Sequence, residues 1–364
     1  MSQNKPLGSK RWVASLGLVL SLGCGDRAAE QHPASLDFDR LFAPVWEVAL
    51  EEPDSAPIGQ LKALRPAPAG GFIVADMMNS QLRLHDREGR LARLVGRYGA
   101  GPGEFRGPSG VAIGPAGEIY VVEFGANRVT RLRPDMSLDT ILPLPPAAGT
   151  HVALFGGRIF LGLRRSKEAE FGFLDEAGEF TGLSRWDPEI AEVPYWSNVA
   201  VDHVAVGSRA LAIANSLKYP IWYYTSPEGP GRAFGEPPAS WSGASRLKGD
   251  EFAGGRAGTQ KLGEWLNTFT VVAGLHMLSD SLILVSHGRY RTEPGMPMPE
   301  MFRIHPYAVD VYDLAGRKLV EDVPLPGTII AADSLVYIVD GEPPAVRRLI
   351  AYRLGPDAER SIAR

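Results

Sequence analysis

The chain has 364 residues, of which 45% are hydrophobic and 22% are charged, and this composition excludes an intrinsically disordered protein. Its 41 glycines and 30 prolines favour many short strands joined by tight turns. The formal net charge of −4 excludes the strongly basic character of a nucleic-acid-binding domain, so we expect no nucleic-acid partner.

The N-terminus has the organisation of an export signal. Lys5, Lys10 and Arg11 precede an apolar run of 11 residues, WVASLGLVLSL. A helix that spans a bilayer needs about 20 apolar residues, so this run is too short to be one. We therefore predict a signal peptide over residues 1–23 and an exported protein, located on the periplasmic or cell-surface side of a bacterial membrane.

Cys24, the only cysteine of the chain, follows this run after a single glycine, Gly23. The residues Ser21-Leu22-Gly23-Cys24 resemble the lipobox of bacterial lipoproteins, a Leu-Ala/Ser-Gly/Ala-Cys pattern, although no leucine stands at its first position. The resemblance implies a lipid at Cys24 that anchors the protein to the membrane through acyl chains. Residues 24–44 would then form a polar tether. The alternative is a plain secretory signal followed by an incidental cysteine.

A β-rich unit repeats along the rest of the chain. Its two clearest copies begin at Pro68 (PAGGFIVADMMNSQLRLHDREGRLARLVG) and at Pro115 (PAGEIYVVEFGANRVTRLRPDMSLDTILPL). Four weaker copies follow, and the copies are spaced by roughly 40 to 70 residues, near the repeat of propeller blades. The equivalent positions in the six copies are Phe72, Ile119, Ile159, Ala210, Leu282 and Val336.

The strand count predicts a closed ring. A further apolar segment precedes each copy, which makes four strands per unit, but the last copy ends at RRLIAYRL without a fourth strand. A surplus strand, VWEVALEE, lies before the first copy. We therefore predict an all-β, six-bladed β-propeller over residues 45–355, with four antiparallel strands per blade and the N-terminal strand closing the last blade. Residues 356–364 would form a tail.

The junction between the first two copies carries a family resemblance. The segment GRYGAGPGEFRGPSGVAIGPAGEIYVVEFGANRV resembles an NHL repeat, and the resemblance covers residues 58–145. Glu123 replaces the aspartate of the family pattern, whereas Asp76 keeps it. NHL-like propellers include scaffolds and binding proteins, and similar propellers include lyases and lactonase relatives. The exported, lipidated chain also resembles the six-bladed propeller lipoproteins of Gram-negative bacteria.

Two features of this junction are expected to serve the fold. The glycines of GRYGAGPGEF lead into a strand rather than a helix, so they indicate a turn between blades and not a phosphate-binding loop. Phe105 is expected to pack between the blades. Asp76, Asn79, Glu123 and Asn127 recur at equivalent positions of the first two units, where short polar side chains bond turn backbone.

Three long segments are expected on one face of the ring, around the mouth of its channel. They cover residues 184–198, 235–267 and 286–306, whereas the turns of the opposite face are minimal. Insertions concentrated on one face of a repeat array indicate a binding face. The predicted ligand is a peptide, glycan or protein, and the aromatic and cationic candidates that would contact it are Arg164, Arg165, Trp196, Lys218, Tyr219, Trp241, Trp265, Arg289 and Tyr290. The alternative is that these residues only pack or face solvent.

A channel metal is the remaining alternative. His151, His203 and His276 precede or lie on innermost strands and are the candidate ligands of a metal-dependent enzyme of the lyase or lactonase-like type. Met296, Met298 and Met301, with nearby histidines, are candidates for Cu(I). No Walker loop or Gly-x-Ser-x-Gly motif is present, so no organic cofactor is predicted.

Overall fold

The computed structural model describes residues 36–144, 146–164, 171–184, 202–244, 255–340 and 347–362. Within these residues, 24 strands form six antiparallel sheets of four strands each. In blades 1 to 5 the chain runs through the sheet as a meander, from an innermost first strand to an outermost fourth strand. The protein is therefore a six-bladed β-propeller, as the repeat and the strand count predicted.

The strands of blades 1 to 3 follow one another along the chain. They are β2 (Leu61–Pro66), β3 (Phe72–Asp76), β4 (Gln81–His85) and β5 (Leu91–Val95) in blade 1; β6 (Pro108–Ile113), β7 (Ile119–Glu123), β8 (Arg128–Leu132) and β9 (Leu138–Pro143) in blade 2; and β10 (Ala148–Phe155), β11 (Arg158–Arg164), β12 (Phe171–Leu174) and β13 (Phe180–Ser184) in blade 3.

Blades 4 and 5 continue this order, and blade 6 takes its outermost strand from the start of the chain. Their strands are β14 (Asp202–Val206), β15 (Leu211–Asn215), β16 (Lys218–Tyr224) and β17 (Arg232–Phe234) in blade 4; β18 (Thr270–Leu278), β19 (Leu282–Tyr290), β20 (Ile304–Asp313) and β21 (Lys318–Pro324) in blade 5; and β22 (Thr328–Ala332), β23 (Val336–Asp340), β24 (Arg348–Leu354) and β1 (Phe42–Ala49) in blade 6.

The first strands of the blades form the inner wall. Each lies beside the first strand of the next blade, and β22 returns to β2, so the six strands surround a central channel. Hydrophobic cores fill the space between the faces of neighbouring blades. Strands such as β3 and β7 are buried at every position because both of their faces pack against another blade. This explains their nearly continuous apolar sequences.

The N-terminal strand closes the ring. β1 pairs with β24, with Trp46 opposite Ala351, and this confirms the predicted closure. The Trp46 ring lies 5.4 Å from Phe72 of blade 1 and 6.0 Å from Tyr337 of blade 6. It therefore packs across the point where the first and last blades meet.

Both ends of the described chain form short helices that pack against the ring, in segments that were predicted to be a tether and a tail. Helix α1 (Phe38–Leu41) and helix α4 (Pro356–Ile362) contact each other beside blade 6. Leu41, Phe42 and Ala358 are fully buried in the core that blades 5 and 6 share. Single apolar residues in polar segments show no periodicity, and therefore the sequence pattern did not reveal these elements.

The glycine-rich junction between blades 1 and 2 is organised around Phe105. Its ring is 0% exposed and packs in the core between the two blades, as predicted. Gly96 has a φ of +96°, and a β-carbon there would lie 2.3 Å from the Phe105 ring. The glycine is needed both for its backbone conformation and for the space that the ring occupies.

Buried acids fix the backbone of the blade junctions. Asp76 accepts hydrogen bonds from the backbone amides of Gly59 and Gln60 and from the side chain of Asn79. Glu123 accepts one from the Arg106 amide and pairs with Arg128 at 2.7 Å. The Arg128 guanidinium also donates to the carbonyls of Ala100 and Glu104. Asn127 accepts from the Ala147 amide. These contacts confirm the structural interpretation of the recurring acids and amides.

Candidate functional site

The long connections of blade 5 lie on one face, which we call the mouth face. In each blade the links from fourth to first strand and from second to third strand meet there, because the sheets are simple meanders. The β17–β18 link contains helix α2 (Gly255–Leu266), and the β19–β20 link contains helix α3 (Met298–Met301). β19 runs to Tyr290 and β20 begins at Ile304, so the ordered strands extend into both ends of the segment predicted as a loop, 286–306.

Helices α2 and α3 pack together into what we call the blade 5 cap. Leu262, Trp265 and Leu266 of α2 bury their side chains with Tyr290 and Met301. Asn267 and Thr292 exchange hydrogen bonds of 2.9 Å, and the Thr292 hydroxyl donates to the Gly263 carbonyl. The parts of the two insertions that contain α2 and α3 thus form one ordered structure at the mouth end of the blade.

The cap changes the set of ligand-contacting candidates. Trp265 and Tyr290, at 5% and 3% exposed, are core residues of the cap. Tyr219 is 4% exposed. These three side chains therefore hold the mouth face together and do not present a surface to a ligand.

The other predicted contacts are more open or lie outside the described residues. Arg289 is exposed, with its guanidinium over the Tyr307 ring. Trp241 is half-buried, and its ring packs edge-on against Tyr219. Lys218 is half-buried at the start of β16. The side chain of Arg164, together with Arg165, Trp196 and nearly all of the segment 184–198, lies outside the described residues.

Tyr219 belongs to a buried polar network that joins blades 4 and 5. Its hydroxyl donates to Asp310 at 2.8 Å and lies 2.9 Å from the Tyr312 hydroxyl. Lys318 and His287 lie 3.2 and 3.4 Å from the same Asp310 carboxylate. Although burial opposes ionisation, the nearby His287 ring and the hydrogen bond that the Asp322 amide donates keep the pKa of Asp310 below its usual range. This network links the two blades within the core that they share.

The channel wall carries an unusual set of charges. The six innermost strands contain Lys62, Arg65, three histidines and a single carboxylate, Asp202, whose side chain lies outside the described residues. The pairing of β2 with β3 skips Lys62, which is therefore the extra residue of a β-bulge. Bulges turn side chains away from the regular sheet positions, and Lys62 is exposed.

The predicted histidines lie on the innermost strands of three successive blades. His151 is on β10, His203 on β14 and His276 on β18, and the rings of His151 and His203 are 6.1 Å apart. The His203 ring hydrogen-bonds the backbone of Val272 in the next blade, and the His276 ring that of Ile329. Since their buried Nε2 atoms have no partner, Nδ1 makes these bonds.

The surroundings keep these rings uncharged. Burial, followed by the charge of Lys62, lowers the pKa of His203 to about 4. Burial, followed by the charge of Arg65, lowers the pKa of His276 to about 3. The pKa of His151 is also well below its usual range, chiefly because of burial. At neutral pH each Nε2 of His203 and His276 is therefore a hydrogen-bond acceptor.

The described residues do not assemble a metal site. No group of three or more His, Cys, Asp or Glu side chains within them is arranged to hold an ion. The positive charges of Lys62 and Arg65, which lower the histidine pKa values, would also oppose a divalent cation. For the methionine set, Met301 is buried in the cap core and His287 is paired with Asp310, so these two side chains face different surroundings.

Comparison with known proteins supports the fold. Residues 29–133 match a family model, DUF5128, described as a 6-bladed beta-propeller. No curated protein shows significant sequence similarity to the chain.

Two solved structures from Bacteroides resemble the whole ring. One, a member of the DUF4221 family from Bacteroides vulgatus, has a TM-score of 0.63 and 12% identity, over 86% of this chain and 98% of that chain. The other, from Bacteroides fragilis and described as an exported protein, has a TM-score of 0.59 and 12% identity, over 88% and 98% of the two chains. At this identity the likeness shows the fold alone.

No helix of the described residues is long and apolar enough to cross a membrane. Cys24 and the signal segment lie outside the described residues.

Sequence reasoning missed Lys62 and Arg65. Both stand in LKALRP, which has the ordinary alternation of an amphipathic strand. Only the bulge and the ring closure bring them near the histidines of blades 3 to 5. The available signal was their position on an innermost strand, where a charged side chain has little solvent around it.

Proposed function

We propose that this protein is an exported, membrane-anchored propeller that binds a peptide, glycan or protein ligand at its mouth face. The observation that carries the proposal is the blade 5 cap, in which described parts of two long connections pack into one ordered structure on a single face. On the opposite face, the described links between consecutive strands of a blade are short hairpin turns, such as that from Asp86 to Gly89. Long ordered connections on one side of a rigid scaffold are typical of binding surfaces.

The amino-acid sequence supports the proposed location of the protein, exported and anchored to a membrane. The basic residues, the 11-residue apolar run and Cys24 resemble those of an exported lipoprotein, and the Bacteroides fragilis protein described as exported has the same fold. Cys24→Ser should abolish incorporation of radiolabelled palmitate. Labelling retained in that variant would contradict an anchor at Cys24.

The binding function is tested with a ligand panel. Residues 36–364, purified as a soluble protein, are applied to glycan and peptide arrays, and hits are measured by calorimetry. We expect Arg289→Ala and Lys218→Ala to weaken binding about tenfold each, since an interaction of a charged side chain contributes on the order of 1.4 kcal/mol. The matched control is Arg87→Ala, an exposed arginine in a turn of the opposite face.

Two results would contradict the proposal. One is a complete panel without saturable binding. The other is binding that Arg87→Ala weakens while both mouth-face variants leave it unchanged. A stoichiometric metal in the purified protein, lost on mutation of His151, His203 or His276, would favour the metal-dependent enzyme instead.

A further inference from the structure

Three side chains at the junction of blades 4 and 5 leave part of their surface open at the mouth face. Trp241, in the β17–β18 link, and Tyr307 of β20 are half-buried, and Arg289 of β19 is exposed. The buried His287 ring contacts both aromatic residues, at 6.0 Å from the Trp241 ring and 6.5 Å from the Tyr307 ring. The Arg289 guanidinium lies 5.3 Å from the centre of the Tyr307 ring. We call these four side chains together the Trp241 surface.

A β-bulge directs Tyr307 toward this surface. In the pairing of β19 with β20, His287 lies opposite Ala308 and Gly288 lies opposite Pro306, so Tyr307 is the extra residue. Bulges re-aim side chains and are frequent beside functional sites. Here the bulge brings Tyr307 into contact with His287 and Arg289 of the neighbouring strand.

The buried network between blades 4 and 5 holds the Trp241 ring in place. This ring packs edge-on against Tyr219 at 5.2 Å, and the Tyr219 hydroxyl donates to Asp310 at 2.8 Å. The Tyr312 hydroxyl donates to the carbonyl of Glu236, which precedes Trp241 in the same link. A ligand that binds a ring already fixed in this way has little side-chain freedom to remove, so less binding free energy is lost.

The polar groups of the Trp241 surface indicate what a ligand must carry. The Tyr307 hydroxyl and His287 Nδ1 are buried and have no hydrogen-bond partner among the described residues, although buried polar atoms are normally bonded. A tyrosine hydroxyl both donates and accepts, whereas the exposed Arg289 guanidinium only donates. Ligand hydroxyl groups suit both, because they also donate and accept.

We propose that the Trp241 surface binds a sugar ring of a glycan. The apolar C–H face of a pyranose ring would stack on Trp241, and its hydroxyl groups would bond the Tyr307 hydroxyl and Arg289. A peptide cannot add to the sheet here as a further strand, since β19 and β20 are each paired on both sides. This inference rests on the proposed binding function, because it names the glycan among the possible ligands.

The test measures oligosaccharides of glucose, mannose, galactose and N-acetylglucosamine by calorimetry, on the same soluble protein as the array experiment. We expect at least one of them to bind saturably. Trp241→Ala should weaken that binding at least about tenfold, because it removes the stacking surface, whereas Trp241→Phe should cost about threefold or less. The matched control is Trp222→Ala, which removes a tryptophan that is 46% exposed on the other side of blade 4 and should leave the affinity unchanged. A panel in which no oligosaccharide binds would overturn the inference.

A second variant tests the surface without removing an aromatic ring. Tyr307→Phe keeps the ring beside Arg289 and removes only the hydroxyl. We expect it to weaken oligosaccharide binding by about fivefold without lowering the melting temperature, because a hydroxyl without a protein partner contributes nothing to the fold. Unchanged affinity would overturn the role of this hydroxyl in binding, and a lowered melting temperature would show that it serves the fold.

The outcomes distinguish this inference from the broader function. A peptide or protein ligand whose binding depends on Arg289, found while no oligosaccharide binds, would refute the glycan inference and leave the mouth-face function standing. Oligosaccharide binding that Trp222→Ala weakens and Trp241→Ala leaves unchanged would refute the Trp241 surface as the site.

Discussion

The channel histidines show how a neighbouring blade sets the chemistry of one side chain. His203 and His276 each bond the backbone of the following blade, and their pKa values fall to about 4 and about 3 because they are withdrawn from water near fixed positive charge. A histidine in an unfolded chain has a pKa of about 6.5. Folding therefore prevents these two residues from taking up protons that the unfolded chain binds in mild acid.

This difference predicts a loss of stability in acid. Between pH 6.5 and about 4 the unfolded state binds more protons than the folded state, so the free energy of unfolding falls as the pH falls. In His203→Gln the decrease from pH 7 to pH 4.5 should be smaller than in the wild type by about 1–2 kcal/mol. Urea unfolding at the two pH values measures the difference. An unchanged decrease would show that His203 titrates normally in the folded protein.

A second residue-scale prediction concerns Arg128. Its guanidinium neutralises Glu123, which is fully buried, and donates to two carbonyls of the glycine-rich junction. Arg128→Ala leaves that carboxylate unpaired and should lower the free energy of unfolding by about 3 kcal/mol. Arg90→Ala, which removes the exposed pair with Asp86, should cost less than about 1 kcal/mol. Comparable losses in the two variants, measured by urea unfolding, would contradict the role of Arg128.

The blade junction is the element on which this packing depends. A chain that leaves the outermost strand of one blade must return to the channel, and the junction between blades 1 and 2 does so around the buried ring of Phe105. Gly96 lies against that ring. Gly103 has a similar positive φ of +74°, but a β-carbon there would meet nothing within 4 Å.

These two glycines give a matched pair of variants. Gly103→Ala should cost only the strain of a left-handed backbone, about 1–2 kcal/mol. Gly96→Ala adds a clash with Phe105 and should cost roughly 3 kcal/mol or more. Thermal and urea unfolding of both variants give the comparison. Equal losses would mean that the Phe105 ring moves aside without cost.

The sequence repeat made the strands of the blades predictable. The packing around individual side chains did not follow from the repeat. Period-two patterns and the spacing from Phe72 to Val336 determined the blades and their number, because every blade must bury both faces. The cap could not be predicted in this way. Trp265 and Tyr290 are residue types that are common in binding loops, and only the packing of α2 against α3 shows that they are buried. Lys62 and Arg65 are the reverse case, since their strand has an ordinary sequence and only the bulge and the ring closure bring them near the histidines of other blades.

At the scale of the whole molecule, stability depends on the closing strand. Trp46 contacts both blade 1 and blade 6, and β1 covers the edge of β24. A chain that begins at Leu50 would lack this strand and expose the edge, whereas a chain that begins at Leu36 keeps it.

We expect the longer chain to be monomeric and to unfold in one transition. The shorter chain should aggregate or lose its cooperative transition, since the last blade would then have three strands. Gel filtration and circular dichroism of the two truncated proteins test this. A monomeric shorter chain with the melting temperature of the longer one would show that β1 is dispensable.

The pairing of β1 with β24 also has a consequence for the order of events during biosynthesis. The two strands are joined only after nearly the whole chain has been made, because Trp46 pairs with Ala351. Such a contact of high sequence separation is slow to form, and until it does the nascent chain carries an open edge that is prone to aggregation. The same delay keeps the ring open while the polypeptide is still emerging.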